Sequence, residues 1–310
     1  MRRTLAVGIF AAVALTACGG QTAAPGTTPT TDAPSADVST DRTFDTSAVQ
    51  KVDEIAGLVP TAVAERGTLL IGASADYAPA EFRADDLKTY IGYDVDLGRA
   101  LGKVLGLEAE VQDAEFASIL PAIGTKFNVG ISSFTIRPDR IEQANMIAYI
   151  TAGSSYAVKK GNPEGLTSIA DLCGLTVAVQ RGTTQADYAQ TQSDQCVADG
   201  DSAIELLQFD RETEAMLQVK NGRAASGLQD YPVAAYNARE SGGGEDFEVV
   251  GEQIEAGPLG IGVGKQNTEL RDALQQALQA IIDDGSYQEL IDDYQTPLGA
   301  IESATINGGS

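Results

Sequence analysis

Two hydrophobic periods take turns along the chain from about Gly67 to Tyr294. Thr68–Ala73 (TLLIGA) is a short apolar run behind Gly67, the pattern of a strand. From Tyr93 to Gly106 the apolar residues Val95, Leu97, Leu101, Val104 and Leu105 recur near every 3.6 positions, which predicts a helix that Gly106 stops. Glu108–Gln112 reads as a strand, Phe116, Ile119, Leu120 and Ile123 as one helical face, and Phe127–Ile131 as a strand. Pro138 then opens a short helix at a position that tolerates proline. Further strands are predicted at Ser154–Val158, Leu175–Val179, Ile204–Phe209, Ala225–Leu228 and Leu259–Val263. Helical patterns fall at Thr183–Thr191, Glu212–Val219, Pro232–Arg239, Glu269–Ile282 and Tyr287–Tyr294. This alternation predicts an α/β protein with mainly parallel sheets. No repeat of 20 to 50 residues interrupts it.

The first 55 residues follow another pattern. Arg2 and Arg3 precede an apolar stretch, Leu5–Ala17, shorter than the roughly 20 residues that span a bilayer. Residues 1–17 therefore read as a signal peptide. The stretch ends Leu15-Thr16-Ala17-Cys18, which resembles the lipobox of bacterial lipoproteins, where cleavage leaves the cysteine as a lipidated N-terminus. The expectation is a lipid anchor at Cys18, on the extracytoplasmic face of the cell membrane. Residues 18–55 are rich in Gly, Thr, Ala, Pro, Ser and Asp and cannot bury enough apolar surface to offset their ordering entropy. They read as a tether; about 30 flexible residues span roughly 30 Å.

Composition narrows the function. The 310 residues suffice for about two domains. Acids outnumber bases 44 to 21, a formal charge of −23, which argues against nucleic acid as a partner. The chain has no histidine, which excludes a Ser-His-Asp triad, a Cys-His pair and any histidine-containing zinc site. Trp is absent too, so an aromatic binding surface must come from 10 Tyr and 8 Phe. With Cys18 assigned to lipid, Cys173 and Cys196 remain as an even pair in an oxidising compartment, and a disulfide between them is expected over two buried thiols. Two thiolates without histidine fall short of a metal site. Gly260-Ile261-Gly262-Val263-Gly264-Lys265 lacks the spacing of a phosphate-binding loop and reads as strand glycines lying close to another backbone.

Two segments carry candidate chemistry. In Ile131-Ser132-Ser133-Phe134-Thr135-Ile136-Arg137-Pro138-Asp139-Arg140, hydroxyls follow a predicted strand end, where α/β sheets place ligands, and Arg140 can fold back to the same crevice. An arginine fork matches a carboxylate bidentately. In Val179-Gln180-Arg181-Gly182-Thr183-Thr184-Gln185 a strand ends, a glycine turns and a helix begins, offering amide N–H groups to an anion. Together they suggest a carboxylate held between two parts of the chain.

From about Gly67 to Tyr294 the chain resembles the polar-amino-acid solute-binding proteins of ABC importers, solute-binding family 3. The resemblance rests on Gly67-Thr68-Leu69-Leu70-Ile71-Gly72, Asp76-Tyr77-Ala78-Pro79-Ala80-Glu81-Phe82, Ile91-Gly92-Tyr93-Asp94-Val95-Asp96-Leu97, the two segments above, Gly227-Leu228-Gln229-Asp230 and Asp284-Gly285-Ser286-Tyr287. It implies a two-lobed fold of the type II periplasmic-binding-protein kind, each lobe a mainly parallel sheet flanked by helices, joined by two crossing strands. The implied division is lobe 1 at 56–153 and 254–300, lobe 2 at 154–253, and a tail at 301–310.

The resemblance implies roles as well. Arg140 would grip an α-carboxylate, completed by Ser133, Thr135 and the amides and hydroxyls of Thr183 and Thr184. Asp230 would accept from the α-ammonium; by sequence alone it also reads as a helix cap before Pro232. Tyr77 and Phe116 would sandwich the ligand, and Ser132 and Gln185, with Gln180 beside them, would face its side chain. Ser74 stands where relatives often place an Asp, which weakens a cationic preference, although Glu81 and Glu115 are near in sequence. Ala80 in place of a usual Phe predicts a wider wall. The implied partners are a free L-amino acid, permease subunits of an ABC transporter and the membrane through its anchor, with no cofactor and a monomeric chain. The competing readings are an enzyme on this scaffold, similar to cyclohexadienyl dehydratases, and an amino-acid sensor module.

Overall fold

The computed structural model describes residues 43–294 and 299–309. The signal segment 1–17, Cys18, the tether up to residue 42 and residue 310 of the tail lie outside the described residues. In chain order, α1 (Asp53–Ala56) and α2 (Thr61–Arg66) lead into β1 (Thr68–Ala73). A small hairpin, β2 (Phe82–Arg83) and β3 (Tyr90–Ile91), precedes α3 (Tyr93–Leu105), β4 (Glu108–Asp113), α4 (Phe116–Ala122), β5 (Val129–Thr135) and α5 (Pro138–Gln143). There follow β6 (Ala144–Lys159), β7 (Thr176–Gln180), α6 (Thr184–Asp199), β8 (Glu205–Phe209), α7 (Glu212–Lys220), β9 (Ser226–Asp230) and α8 (Tyr231–Glu240). The last elements are β10 (Phe247–Gly264), α9 (Thr268–Asp283) and α10 (Ser286–Asp293).

Eight strands form one mixed sheet in the order β4-β1-β5-β10-β6-β9-β7-β8. Each end is parallel: β1 pairs with β4 and β5, and β7 with β8 and β9. The centre is antiparallel, because β10 opposes both β5 and β6, and β6 opposes β9. The expected α/β class is therefore present, with its antiparallel pairs confined to the middle.

Helices cover this sheet over separate cores. In the first half, α3 buries Leu97, Leu101 and Val104 against Leu69, Ile71, Val129 and Ile131, together with Leu274, Leu278 and Ile281 of α9. Gly106 ends α3 as predicted, in a left-handed conformation whose N–H returns to Gly102 and Lys103. In the second half, Val158, Val177, Val179, Ala189, Ile204 and Leu228 form a core of their own. The expected disulfide Cys173–Cys196 closes beside it, tying the segment before β7 to α6.

The structure corrects several expectations. The predicted strands Ser154–Val158 and Leu259–Val263 are pieces of β6 and β10, which have 16 and 18 residues and run through both halves. Their pairing breaks register near Ile254, where the chain passes from one half to the other. The tether ends earlier than composition indicated: Val49 and Ile55 are buried, and the Phe44 amide donates to Asp96 Oδ2 at 2.6 Å. The tail at 301–309 also packs on the fold: Ile306 bridges to Ile147 and the Met146 amide donates to Asn307. The strand predicted at Phe127–Ile131 runs on to Thr135, so Ser132 and Ser133 lie within β5 rather than after it. The close approach at the strand glycines is to side chains, not backbone: a Cβ at Gly260 or Gly262 would sit 2.8 Å from Ile136 or 2.7 Å from Leu120.

This topology positions the site. The C-terminal ends of the parallel strands in both halves converge at the middle of the sheet. Ser74 follows β1, Thr135 ends β5, Gln180 ends β7 and Asp230 ends β9. Ligands of α/β proteins sit at such strand ends.

Candidate ligand-binding pocket

A nearly filled pocket, with a free volume of only about 10 Å³, lies where these ends meet. Of the eleven residues expected from the sequence, ten line it: Tyr77, Phe116, Ser132, Ser133, Thr135, Arg140, Gln180, Thr183, Gln185 and Asp230. Thr184 does not; it begins α6 one position further on. Ser74 and Glu81 complete the lining.

Arg140 sits on α5 with its guanidinium folded inward, 3% exposed. It donates to the Thr135 carbonyl at 3.0 Å and, across to the second half, to the Gly182 carbonyl at 3.1 Å. Phe116 and Phe134 flank it, with ring centroids 5.3 and 5.5 Å away. Burial pulls its pKa down to about 10, helped by neighbouring Arg137, so it stays charged at neutral pH. Two of its five N–H donors are engaged by these carbonyls, and the others remain for an anion. Gly182 is needed where it stands: its φ is +76°, and an added Cβ would meet Ala117 of the first half at 3.0 Å.

Thr183 differs from expectation. It is the N-cap of α6: its hydroxyl accepts from the Ala186 amide at 3.0 Å and donates to the Gln180 carbonyl at 2.8 Å. Its oxygen therefore serves the helix first.

Asp230 precedes α8, but its carboxylate makes no capping bond. It accepts instead from Tyr77 at 3.1 Å and from Gln185 at 2.9 Å. Burial raises its pKa to about 6, with Tyr77, Gln185 and Arg140 opposing the rise. Ser154 of β6 accepts the second Gln185 bond at 3.0 Å.

One acid, Glu81, marks another part of the pocket, and a second, Asp94, lies behind the lining. Ser132 donates to Glu81 Oε1, and Glu81 Oε2 is buried without a hydrogen-bond partner. Asp94, at the start of α3, stands beside it and accepts from the Ser133 amide at 2.7 Å and from Tyr149 at 2.5 Å. Burial pushes both carboxyls upward, Glu81 well above the usual range with Asp94 adding to it. Among the described residues, no Lys or Arg forms an ion pair with either. Ser133 adopts φ +48°, an uncommon conformation for a side chain with a Cβ, and Asp94 holds it there through backbone and hydroxyl.

Ser74 takes no acidic role itself. Its hydroxyl donates to Asp76 at 3.2 Å and accepts from Gln180 at 3.1 Å. Glu115 is exposed and outside the pocket, and Ala80 belongs to the first core rather than to a pocket wall. Asp94 escaped the sequence reading because a buried acid in an amphipathic helix looks like a solvated one. Among the described residues no cluster is arranged to hold a metal ion, and no helix is long and apolar enough to cross a membrane.

Residues 69–297 match the family model of bacterial extracellular solute-binding proteins, family 3. The arginine-binding protein ArgT of Corynebacterium glutamicum is 36% identical over 259 residues, 83% of each chain. Among solved structures, an ancestral arginine-binding protein bound to arginine superposes with a TM-score of 0.68 at 31% identity, covering 74% of this chain and 98% of the other. The ancestral amino acid-binding protein AncCDT-1, described as a precursor of cyclohexadienyl dehydratase, gives 0.67 at 32% identity, covering 75% and 97%.

Proposed function

Because the chain belongs to the bacterial extracellular solute-binding proteins of family 3, we propose that it binds L-arginine, or a closely similar cationic L-amino acid, between its two halves and delivers it to the permease of an ABC importer. The observation that carries the cationic preference is the buried pair Glu81 and Asp94. Two adjacent carboxyls without a basic partner are costly to ionise in a low dielectric, and an arriving guanidinium or ammonium supplies the missing charge. The arginine-binding relatives point the same way. This reading revises the inference from Ser74: the acid is supplied seven positions later, at Glu81.

The remaining groups suit the α-carbon end. Arg140 takes the carboxylate, with Ser133 and Thr135 beside it, and Asp230 takes the ammonium that Gln185 and Tyr77 hold it ready to meet. Phe116 and Tyr77 cover the aliphatic part. The halves 56–153 with 254–300 and 154–253 act as lobes that close over the ligand, pivoting on β6 and β10, with no cofactor and as a monomer. Lipidation at Cys18 keeps the protein at the outer face of the membrane; Cys18→Ser should release it into the soluble fraction, and equal membrane retention would count against the anchor.

Thermal-shift titration of the protein against the common L-amino acids tests the ligand. A ligand at 100 times its Kd adds about 2.7 kcal/mol to stability. Arginine should give the largest shift. A raised Glu81 is also the group a dehydratase would use as general acid, so turnover of arogenate would overturn the binding reading.

A further inference from the structure

We propose that Arg211 and Asp113 form a clasp across the cleft, outside the ligand pocket, that fixes how long a bound amino acid stays without touching it. The proposal rests on the reading of the pocket as one that closes. Asp113 ends β4 in the first half, and Arg211 precedes α7 in the second, 98 positions away. The two meet as a fork: Arg211 Nη1 lies 2.6 Å from Asp113 Oδ1 and Nη2 lies 3.2 Å from Oδ2. Neither lines the pocket.

The two partners are held differently. Asp113 is fixed by its own half, because it also accepts from the Ala75 amide at 3.1 Å and from Arg83 at 3.2 Å. The side-chain hydrogen bonds of Arg211, by contrast, both go to Asp113, and its other acid, Asp76 at 3.8 Å, is again in the first half. Asp76 in turn accepts from the Thr213 amide and hydroxyl at 3.1 and 2.9 Å, so the start of α7 is gripped at two neighbouring points. Arg211 thus has work to do only while the halves are together, and the fold of its own half does not draw on it.

A second ion pair spans the halves, Arg137–Asp187 at 2.6 Å, but Asp187 is 65% exposed and solvent screens that contact. Arg211 and Asp113 are 28% and 20% exposed, and a bidentate pair in that setting is the stronger one. Burial works against the charged form of each, and each nevertheless sits on the favourable side of its usual pKa: Asp113 is lowered by Arg211 together with the Ala75 amide and Arg83, and Arg211 is raised foremost by Asp113. A contact made on closing acts on the closed state, so it shows in dissociation rather than in association.

The test is stopped-flow kinetics with L-arginine on the full-length protein and on Arg211→Ala, Arg211→Lys, Asp113→Ala and the double alanine variant. The clasp predicts a koff raised about 5- to 30-fold for Arg211→Ala with kon within threefold, a size expected of a close pair at an interface. Arg211→Lys should fall between, because a point charge replaces the fork. The double variant should be no worse than the worse single variant, and 0.5 M NaCl should narrow the gap to the parent. A koff for Arg211→Ala within twofold of the parent, or losses that add in the double variant, would overturn the clasp. If the parent itself does not bind L-arginine, the reading of the pocket fails separately. The same kinetics with whichever common L-amino acid gives the largest thermal shift then decide the clasp: a koff for Arg211→Ala raised at least about 5-fold supports it, and one within twofold of the parent refutes it.

Discussion

Tyr77 and Asp230, 153 positions apart, exchange two hydrogen bonds: the phenol donates to Asp230 Oδ2 at 3.1 Å and accepts from the Asp230 amide at 2.7 Å. One hydroxyl therefore joins the segment after β1 to the end of β9, and it turns the Asp230 carboxylate away from the helix that follows. Burial and the Asp230 charge push the phenol pKa well up, so it remains a donor at any working pH.

Tyr77→Phe should leave each half folded and expose a buried amide to loss of its partner when the halves meet. An unsatisfied buried group costs about 1–3 kcal/mol, which corresponds to roughly 5- to 150-fold in affinity. Calorimetric titration with L-arginine reads this directly. Affinity within twofold of the parent would mean that the bond forms only incidentally.

Arg140→Ala and Asp230→Ala should each weaken binding far more, while a thermal scan of the ligand-free protein still shows a cooperative transition. Closure removes the ligand's carboxylate and ammonium from water, and truncating one side of such a pair costs about 2–5 kcal/mol or more. That is about 30- to several thousand-fold. An Arg140→Ala protein binding within about threefold of the parent would place the carboxylate elsewhere.

Most of the pocket was legible because its residues cluster at strand ends and turns, which local pattern locates well. Thr135, Gln180 and Asp230 each end a strand, and Thr183 and Gln185 follow one within five positions. What escaped depends on distance in sequence or on burial of both faces. β6 is buried over nearly its whole length, so it carries no alternation by which its 16 residues could be read as one strand. β10 hides differently, since Gly251–Gly257 interrupts its apolar pattern where it crosses between the halves. Phe44, Val49 and Ile55 sit too sparsely among polar residues to announce that they join the core. The Arg211–Asp113 fork and the Glu81–Asp94 pair are encounters of remote segments, and no spacing signals them.

Affinity and ligand-free stability should respond to pH in opposite directions. Asp230 is a carboxylic acid whose folded pKa is raised to about 6, so the folded protein holds this proton more tightly than the unfolded chain does. The stability this confers is present below the unfolded value near 4 and is lost as pH rises through about 6. The buried Glu81 and Asp94 act in the same direction. A ligand ammonium needs Asp230 ionised and competes with its proton, so affinity should fall up to about tenfold per pH unit below 6. Melting temperature should therefore be higher at pH 5 than at pH 7.5, and binding of L-arginine weaker. Calorimetry and thermal scans in matched buffers check both; an affinity unchanged between pH 5 and 7.5 would contradict the role given to Asp230.

Selection of a cationic side chain by Glu81 and Asp94 is tested with citrulline, which keeps the shape of arginine and replaces the guanidinium with a neutral urea. Titration of both into the parent protein should show L-arginine bound at least about 30-fold more tightly, the size expected when a buried charge loses its partner. Glu81→Gln should close most of that gap by weakening arginine and sparing citrulline. Citrulline bound by the parent within threefold of arginine would contradict the account.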